Sequence, residues 1–208
     1  MTTVLYVYAN PKELNNSFTL RLGRSFFDIY KQVNPDDAIE ELDLYKLNLP
    51  LVDKNVLMGW DKLRQGETPT PEEKNSIQNI LKYTDQFIQA DKVVISAPMW
   101  NLGFPPLLKI YLDTLVISNK TFKYTENGPI GLVEDKPVLH FQARGGIYSK
   151  GPAKEFEFAD SYLLALMKFL GITNFQSVIC EGLSLEPEEA EKIFQKAVKE
   201  AQRIAKSF

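Results

Sequence analysis

Val93-Val94-Ile95-Ser96-Ala97 followed by Pro98-Met99-Trp100-Asn101 is the stretch from which the fold can be read. The first five residues are short, mostly apolar and without alternation, as in a strand buried on both faces of a parallel sheet. The proline then turns the chain into an aromatic loop. Outward from this strand, Val4-Leu5-Tyr6-Val7-Tyr8 has the same two-sided character. Ile39 to Leu44 reads as an edge strand, Val138 to Ala143 as a fourth strand and Phe175 to Cys180 as a fifth. Helical patterns fill the gaps. Residues 18 to 32 place Leu22, Phe26 and Ile29 on one face. Thr70-Pro71-Glu72-Glu73 supplies an N-cap, a first-position proline and a capping-box glutamate for a helix over 71–89. Pro187-Glu188-Glu189 opens a last helix with acids, and Ile193, Phe194, Ala197, Val198, Ala201 and Ile204 form its apolar stripe.

Strands alternating with helices predict an α/β fold: a flavodoxin-like, doubly wound, five-stranded parallel sheet of order 2-1-3-4-5. Residues 1–208 are expected to form a single domain. Two stretches exceed that plan. Residues 45–69, with Tyr45 and Trp60, are long for a connection and suit a covering element. Residues 121–132 predict a β-hairpin insertion turning at Asn127-Gly128. The helix after Pro105-Pro106, Leu107 to Ile117, is apolar on more than one face and needs cover beyond its own sheet, which predicts a homodimer.

Composition narrows the function. A hydrophobic fraction of 44% is enough for a globular core. With 24 basic against 27 acidic residues, the chain lacks the cationic excess of a nucleic-acid binder. No apolar run approaches the roughly 20 residues that cross a bilayer, and no basic leader precedes Val4, so a cytoplasmic protein without membrane partners is expected. One cysteine and one histidine permit neither an internal disulfide nor an all-Cys/His zinc site, and no metal is expected. His140, mid-strand, reads as a hydrogen-bonded core histidine, and Cys180 as a small buried hydrophobe. An enzyme of this composition needs a cofactor to do its chemistry.

Ligands of open parallel sheets bind beyond the carboxyl ends of the strands, at the reversal of strand order. After strand one, Ala9-Asn10-Pro11-Lys12-Glu13-Leu14-Asn15-Asn16-Ser17-Phe18-Thr19 contains neither G-x-G-x-x-G nor a Walker sequence. Its small polar residues at a helix start suit either a terminal monophosphate or an ordinary N-cap. After strand three, Pro98, Met99, Trp100, Asn101 and Leu102 offer a flat apolar wall with one amide, or a proline-held packing loop. After strand four, Ala143-Arg144-Gly145-Gly146 permits close backbone approach to a ligand, or simply a tight turn. Arg144 reads equally as a cofactor contact or a surface ion pair. Together the three loops match an FMN: a phosphate anchor, an apolar slot and a glycine platform.

Thr121-Phe122-Lys123-Tyr124-Thr125-Glu126-Asn127-Gly128-Pro129, with Ala97-Pro98-Met99-Trp100-Asn101 and Ala143-Arg144-Gly145-Gly146, resembles the FMN-dependent NADH-azoreductases from end to end. The resemblance implies a homodimer with one FMN per subunit and active sites at the interface. It also implies ping-pong, two-electron reduction of quinones and azo compounds by NADH or NADPH, with no catalytic side chain. By position, Asn10, Asn16, Ser17, Phe18 and Thr19 would hold the FMN phosphate, and Pro98 to Leu102 with Ala143 to Gly146 would line its ring. Asn10 stands where many relatives carry serine. Trp60, Tyr124 and Phe169 would wall the substrate space. A one-electron flavodoxin-type carrier and a cofactor-free interaction module are the rival readings; −3 is a weak charge for the first, and the second leaves the three loops without a purpose.

Overall fold

The computed structural model describes residues 1–185 and 187–208. Five parallel strands form the main sheet: β1 (Thr3–Tyr8), β2 (Ala38–Asp43), β3 (Lys92–Ser96), β6 (Val138–Ala143) and β7 (Phe175–Cys180). Their order is β2-β1-β3-β6-β7. A separate antiparallel hairpin, β4 (Phe122–Thr125) and β5 (Gly128–Gly131), accounts for the gap in numbering. Counting parallel strands alone, this is the expected 2-1-3-4-5. The helices are α1 (Phe18–Val33), α2 (Lys54–Arg64), α3 (Pro71–Gln89), α4 (Pro106–Asp113), α5 (Asp160–Leu170) and α6 (Ala190–Ala205).

Successive strand residues point to opposite faces, so one sheet feeds two cores. Leu5, Val7, Val93, Ile95 and Val138 pack with Phe87, Leu108, Tyr111, Met167 and Leu170 from α3, α4 and α5. Val4, Tyr6, Val94, Leu139 and Phe141 pack with Leu22, Phe26, Phe194 and Ala201 from α1 and α6. Both faces of β6 are buried along its whole length. A truncation such as Phe26→Ala in such a core costs about 3–5 kcal/mol.

The surplus stretches take shapes the sequence left open. Residues 45–69 contain helix α2, whose N-cap Asp53 accepts a hydrogen bond from Val56 N at 2.9 Å. Lys62 pairs with Glu73 of α3 at 2.8 Å, and Gly59 lies so close to Ile77 that a Cβ would stand 2.7 Å from its Cδ1. α4 is shorter than the expected 107–117: it stops at Asp113. There the Thr114 hydroxyl donates to the Tyr111 carbonyl, and the Thr84 hydroxyl takes the Thr114 carbonyl, each at 2.6 Å. Threonine thus offers the backbone a local alternative to helix. The last helix is preceded by a 3-10 turn, Pro187–Glu189. In the hairpin, Glu126 and Asn127 occupy the turn, one residue earlier than the expected Asn127-Gly128, and Gly128 takes the left-handed conformation, φ 102°.

Gly131 locks the hairpin to the body, since a Cβ there would lie 2.1 Å from Gly171 N at the end of α5. Gly131→Ala is therefore expected to cost about 2 kcal/mol, read as a lower urea midpoint at unchanged slope. An unchanged midpoint would show that the hairpin does not depend on this contact.

Candidate functional site

β1, β3 and β6 are neighbours, so the three candidate loops leave one edge of the sheet side by side. Backbone bonds past the strand ends hold them together: Ala9 N to Ser96 O, Ala97 N to Phe141 O and Met99 N to Ala143 O, each 3.0 Å.

The first loop is built around Ser17, the N-cap of α1. Its Oγ accepts from Leu20 N at 3.2 Å and from Asn10 Nδ2 at 2.8 Å. The Asn10 Oδ1 accepts from Lys12 N at 3.0 Å, which fixes the orientation of the amide. With both lone pairs of Ser17 Oγ engaged, its O–H remains to donate outward. Phe18 and Thr19, in the first turn, have N–H groups with no helical acceptor. The Thr19 hydroxyl is buried and unpartnered. Asn10 and Ser17 thus meet, with Phe18 and Thr19 following in the first turn of α1, whereas Asn16 is exposed on a 3-10 turn before the helix.

The second loop folds back on itself. Trp100 N bonds Gly103 O and Gly103 N bonds Trp100 O, both at 3.0 Å, around a tight turn at Asn101 and Leu102. Both turn residues have positive φ, 48° and 69°. Asparagine tolerates this region, but leucine pays a steric cost for it. Strain of this kind concentrates at ligand sites. Pro98 is buried, Met99 and Trp100 are half-buried, and Asn101 and Leu102 are exposed at the tip.

The third loop is held from behind. The carbonyls of Gly145 and Gly146 accept from Ser184 N and Gly182 N, both at 3.0 Å, and Arg144 N donates to Cys180 O at 2.9 Å. The Gly145 and Gly146 N–H groups bond no described residue. Glycine here also has a packing reason. A Cβ on Gly145 would stand 2.6 Å from Ser184 Oγ, and on Gly146 2.9 Å from the Tyr148 ring. The pair therefore lets the loop pack against its own protein. Arg144 is also not the surface residue that one reading allowed, being only 3% exposed. Its guanidinium pairs with Glu181 at 2.9 Å and Glu157 at 3.5 Å, and donates to Gln142 Oε1 at 3.2 Å. Glu181 escaped the sequence reading; the available signal was an acid directly beyond the end of the fifth parallel strand.

Trp60 and Tyr124 line one groove of about 670 Å³ together with Leu57, Leu63, Phe122 and Val116. Phe169 reaches it through Phe122, ring to ring at 4.7 Å. No residue of 98–102 or 143–146 lines this groove. The three aromatic residues expected around the substrate thus gather, but apart from the three loops of their own chain.

The flavodoxin-like fold family model matches residues 2–205. An FMN-dependent NADH:quinone oxidoreductase of Staphylococcus haemolyticus is 45% identical over 208 residues, covering all of both chains. The crystal structure of an azoreductase from Bacillus anthracis superposes with a TM-score of 0.95 at 42% identity, again over all of both chains. This chain belongs to the FMN-dependent NADH:quinone oxidoreductase and azoreductase family. A second Bacillus anthracis structure, of an FMN-dependent NADH-azoreductase in complex with FMN, has a TM-score of 0.89 at 33% identity, covering 99% of this chain and 100% of that one.

The residues present fit the family's cofactor. The unpartnered Thr19 hydroxyl, the free Ser17 O–H and the orphan N–H groups of a helix start are a donor set for a dianionic phosphate. The lone cysteine and the lone histidine are both held in the core. Burial pushes the Cys180 thiol up to about 11. His140 is fully buried, with Nδ1 2.7 Å from Asp160 Oδ1, and Ser177 Oγ donates to the same oxygen at 2.5 Å. No helix among the described residues is long and apolar enough to cross a membrane.

Burial alone would raise the Asp160 carboxyl, but the His140 and Ser177 bonds and the Arg144 charge hold it below the usual range. A lowered native value adds stability that is present above the unfolded pKa, about 3.9, and lost as pH falls through the native value. Thermal midpoints from pH 6 down to pH 2 should therefore fall less steeply in Asp160→Asn than in the wild type. Equal slopes would mean that Asp160 titrates alike in the folded and unfolded chains.

Proposed function

We propose that this chain, as one domain over residues 1–208, is a cytoplasmic FMN-dependent oxidoreductase. It takes electrons from NADH and reduces quinones to hydroquinones and aromatic azo compounds to amines. The observation that carries this reading is the buried, unpartnered Thr19 hydroxyl in the first turn of α1, two residues after the N-cap Ser17 whose O–H is left to donate.

Bound FMN supplies two-electron transfer between nicotinamide and acceptor. The chain's own groups bind and orient. Ser17, Thr19 and the first N–H groups of α1 hold the phosphate, aided by the positive end of the helix dipole. Met99, Trp100 and Leu102 present apolar surface that excludes water from the slot. The N–H groups of Gly145 and Gly146 remain as donors for the polar edge of the ring. Neither His140, tied to Asp160, nor the raised Cys180 thiol is asked to move a proton or attack an acceptor.

A homodimer completes the site in this reading, with Trp60, Tyr124 and Phe169 of one copy walling the substrate space of the other. Support comes from the groove itself: Leu57, Leu63 and Tyr124 are 51%, 55% and 74% exposed around it. Apolar exposure on this scale marks an interaction surface. Sedimentation at micromolar concentration should give twice the chain mass, and a monomer would remove this part of the proposal.

Thr19→Val tests the anchor. Loss of one hydrogen bond to a charged phosphate, about 1.5–3 kcal/mol, should weaken FMN roughly 10- to 100-fold in a fluorescence titration. Because the deleted hydroxyl has no partner, the FMN-free variant should melt no lower than the wild type. Unchanged FMN affinity would show that the phosphate lies elsewhere. With FMN bound, NADH and a soluble quinone should give parallel double-reciprocal lines; intersecting lines would exclude the ping-pong scheme.

A further inference from the structure

One carboxylate behind the glycine loop gathers an unusual number of donors. Glu181 accepts from Arg144 Nε at 3.1 Å, Tyr148 N at 3.0 Å and Ser149 N at 3.1 Å, and also from the Ser149 hydroxyl. The Arg144 Nη2 lies 2.9 Å from the same carboxylate. On its other side Arg144 faces Glu157, which caps α5 by accepting from Ala159 N and Asp160 N at 3.0 and 2.8 Å. The next residue, Phe158, donates its N–H to the carbonyl of Leu102 at 3.0 Å. Arg144 thus connects the third loop, through Glu157 and Phe158, to the strained turn of the second.

We infer that Arg144, Glu181 and Glu157 form a buried charge clamp that sets the spacing of the two walls of the flavin slot and the charge at its glycine end. The inference rests on the FMN reading above and deepens it, because it assigns Arg144 to positioning and not to contact with FMN. The side chains of Arg144, Glu181 and Glu157 are 2%, 21% and 13% exposed, so solvent screens their charges poorly. In the intact clamp, one guanidinium faces two carboxylates, a net charge of −1. Neutralising Glu181 makes the cluster less negative beside the glycine platform, and removing Arg144 makes it more negative. Reduction adds negative charge to an isoalloxazine ring, so the two changes act on it in opposite directions.

The test uses Glu181→Gln, Arg144→Met and Arg144→Lys in the full chain. In FMN-free protein, Glu181→Gln should speed amide exchange at 145–149 and also at 101–103; acceleration confined to 145–149 would overturn the coupling of the walls. In FMN-loaded protein, the midpoint potential should rise in Glu181→Gln and fall in Arg144→Met. Arg144→Lys should keep the potential near that of the wild type while weakening FMN about tenfold, since a point charge replaces the fork. Potentials that shift together, or not at all, would reduce the cluster to a structural staple. If Arg144→Met does not fold, the potential of Glu181→Gln against Arg144→Lys still decides: no difference overturns the charge role. FMN binding by the wild type with unaltered variants refutes the clamp alone, whereas failure of the wild type to bind FMN refutes the function and the clamp's charge role with it.

Discussion

The register of three parallel strands is the constraint on which the site depends. Because β1, β3 and β6 hydrogen-bond as neighbours, Ala9, Met99 and Ala143 are tied at one edge by backbone bonds beyond the strand ends. A slip of one residue would turn every side chain of a strand to the wrong core. Both cores are apolar and close-packed, so such a slip is strongly disfavoured. The fold thereby delivers a helix start, a tight turn and a glycine loop to one edge of the sheet, fastened to one another by backbone bonds. Each is then free to keep what packing alone would not favour: an unpartnered hydroxyl at Thr19, a left-handed Leu102, unbonded N–H groups at Gly145 and Gly146.

Much of this was legible in the residues. The two-sided strands at 93–97 and 138–143, and the capping box at Thr70, are local signals with strong physical causes; in the structure Thr70 and Glu73 do cap each other. The hairpin was visible in Asn127-Gly128, although the turn's hand was not, since that depends on twist between strands. Helix α2 was hidden because a mid-helix glycine and a weak stripe obscure its period; Gly59 is there for contact with α3. The end of α4 was hidden because it depends on Thr84, thirty residues away in sequence.

The site was legible in its loops and not in its electrostatics. Ser17 and Thr19 stand out as candidates because a helix start advertises itself. Arg144 was ambiguous because its partners, Glu157 and Glu181, come from different segments that only the fold brings together. The glycines after it have a packing reason that their own residues do not advertise, since a Cβ on them would meet Ser184 and Tyr148. Breaking a buried ion pair by removing one partner typically costs about 3–5 kcal/mol. Apolar replacements often serve a core as well, which agrees with the positioning role inferred for this cluster.

A crystal structure with FMN bound tests the central claim most directly. The account predicts phosphate oxygens about 2.5–3.0 Å from both the Ser17 and Thr19 hydroxyls, with the ring between the Met99–Leu102 turn and Gly145-Gly146. A phosphate bound elsewhere, with Thr19 still unpartnered, would contradict it.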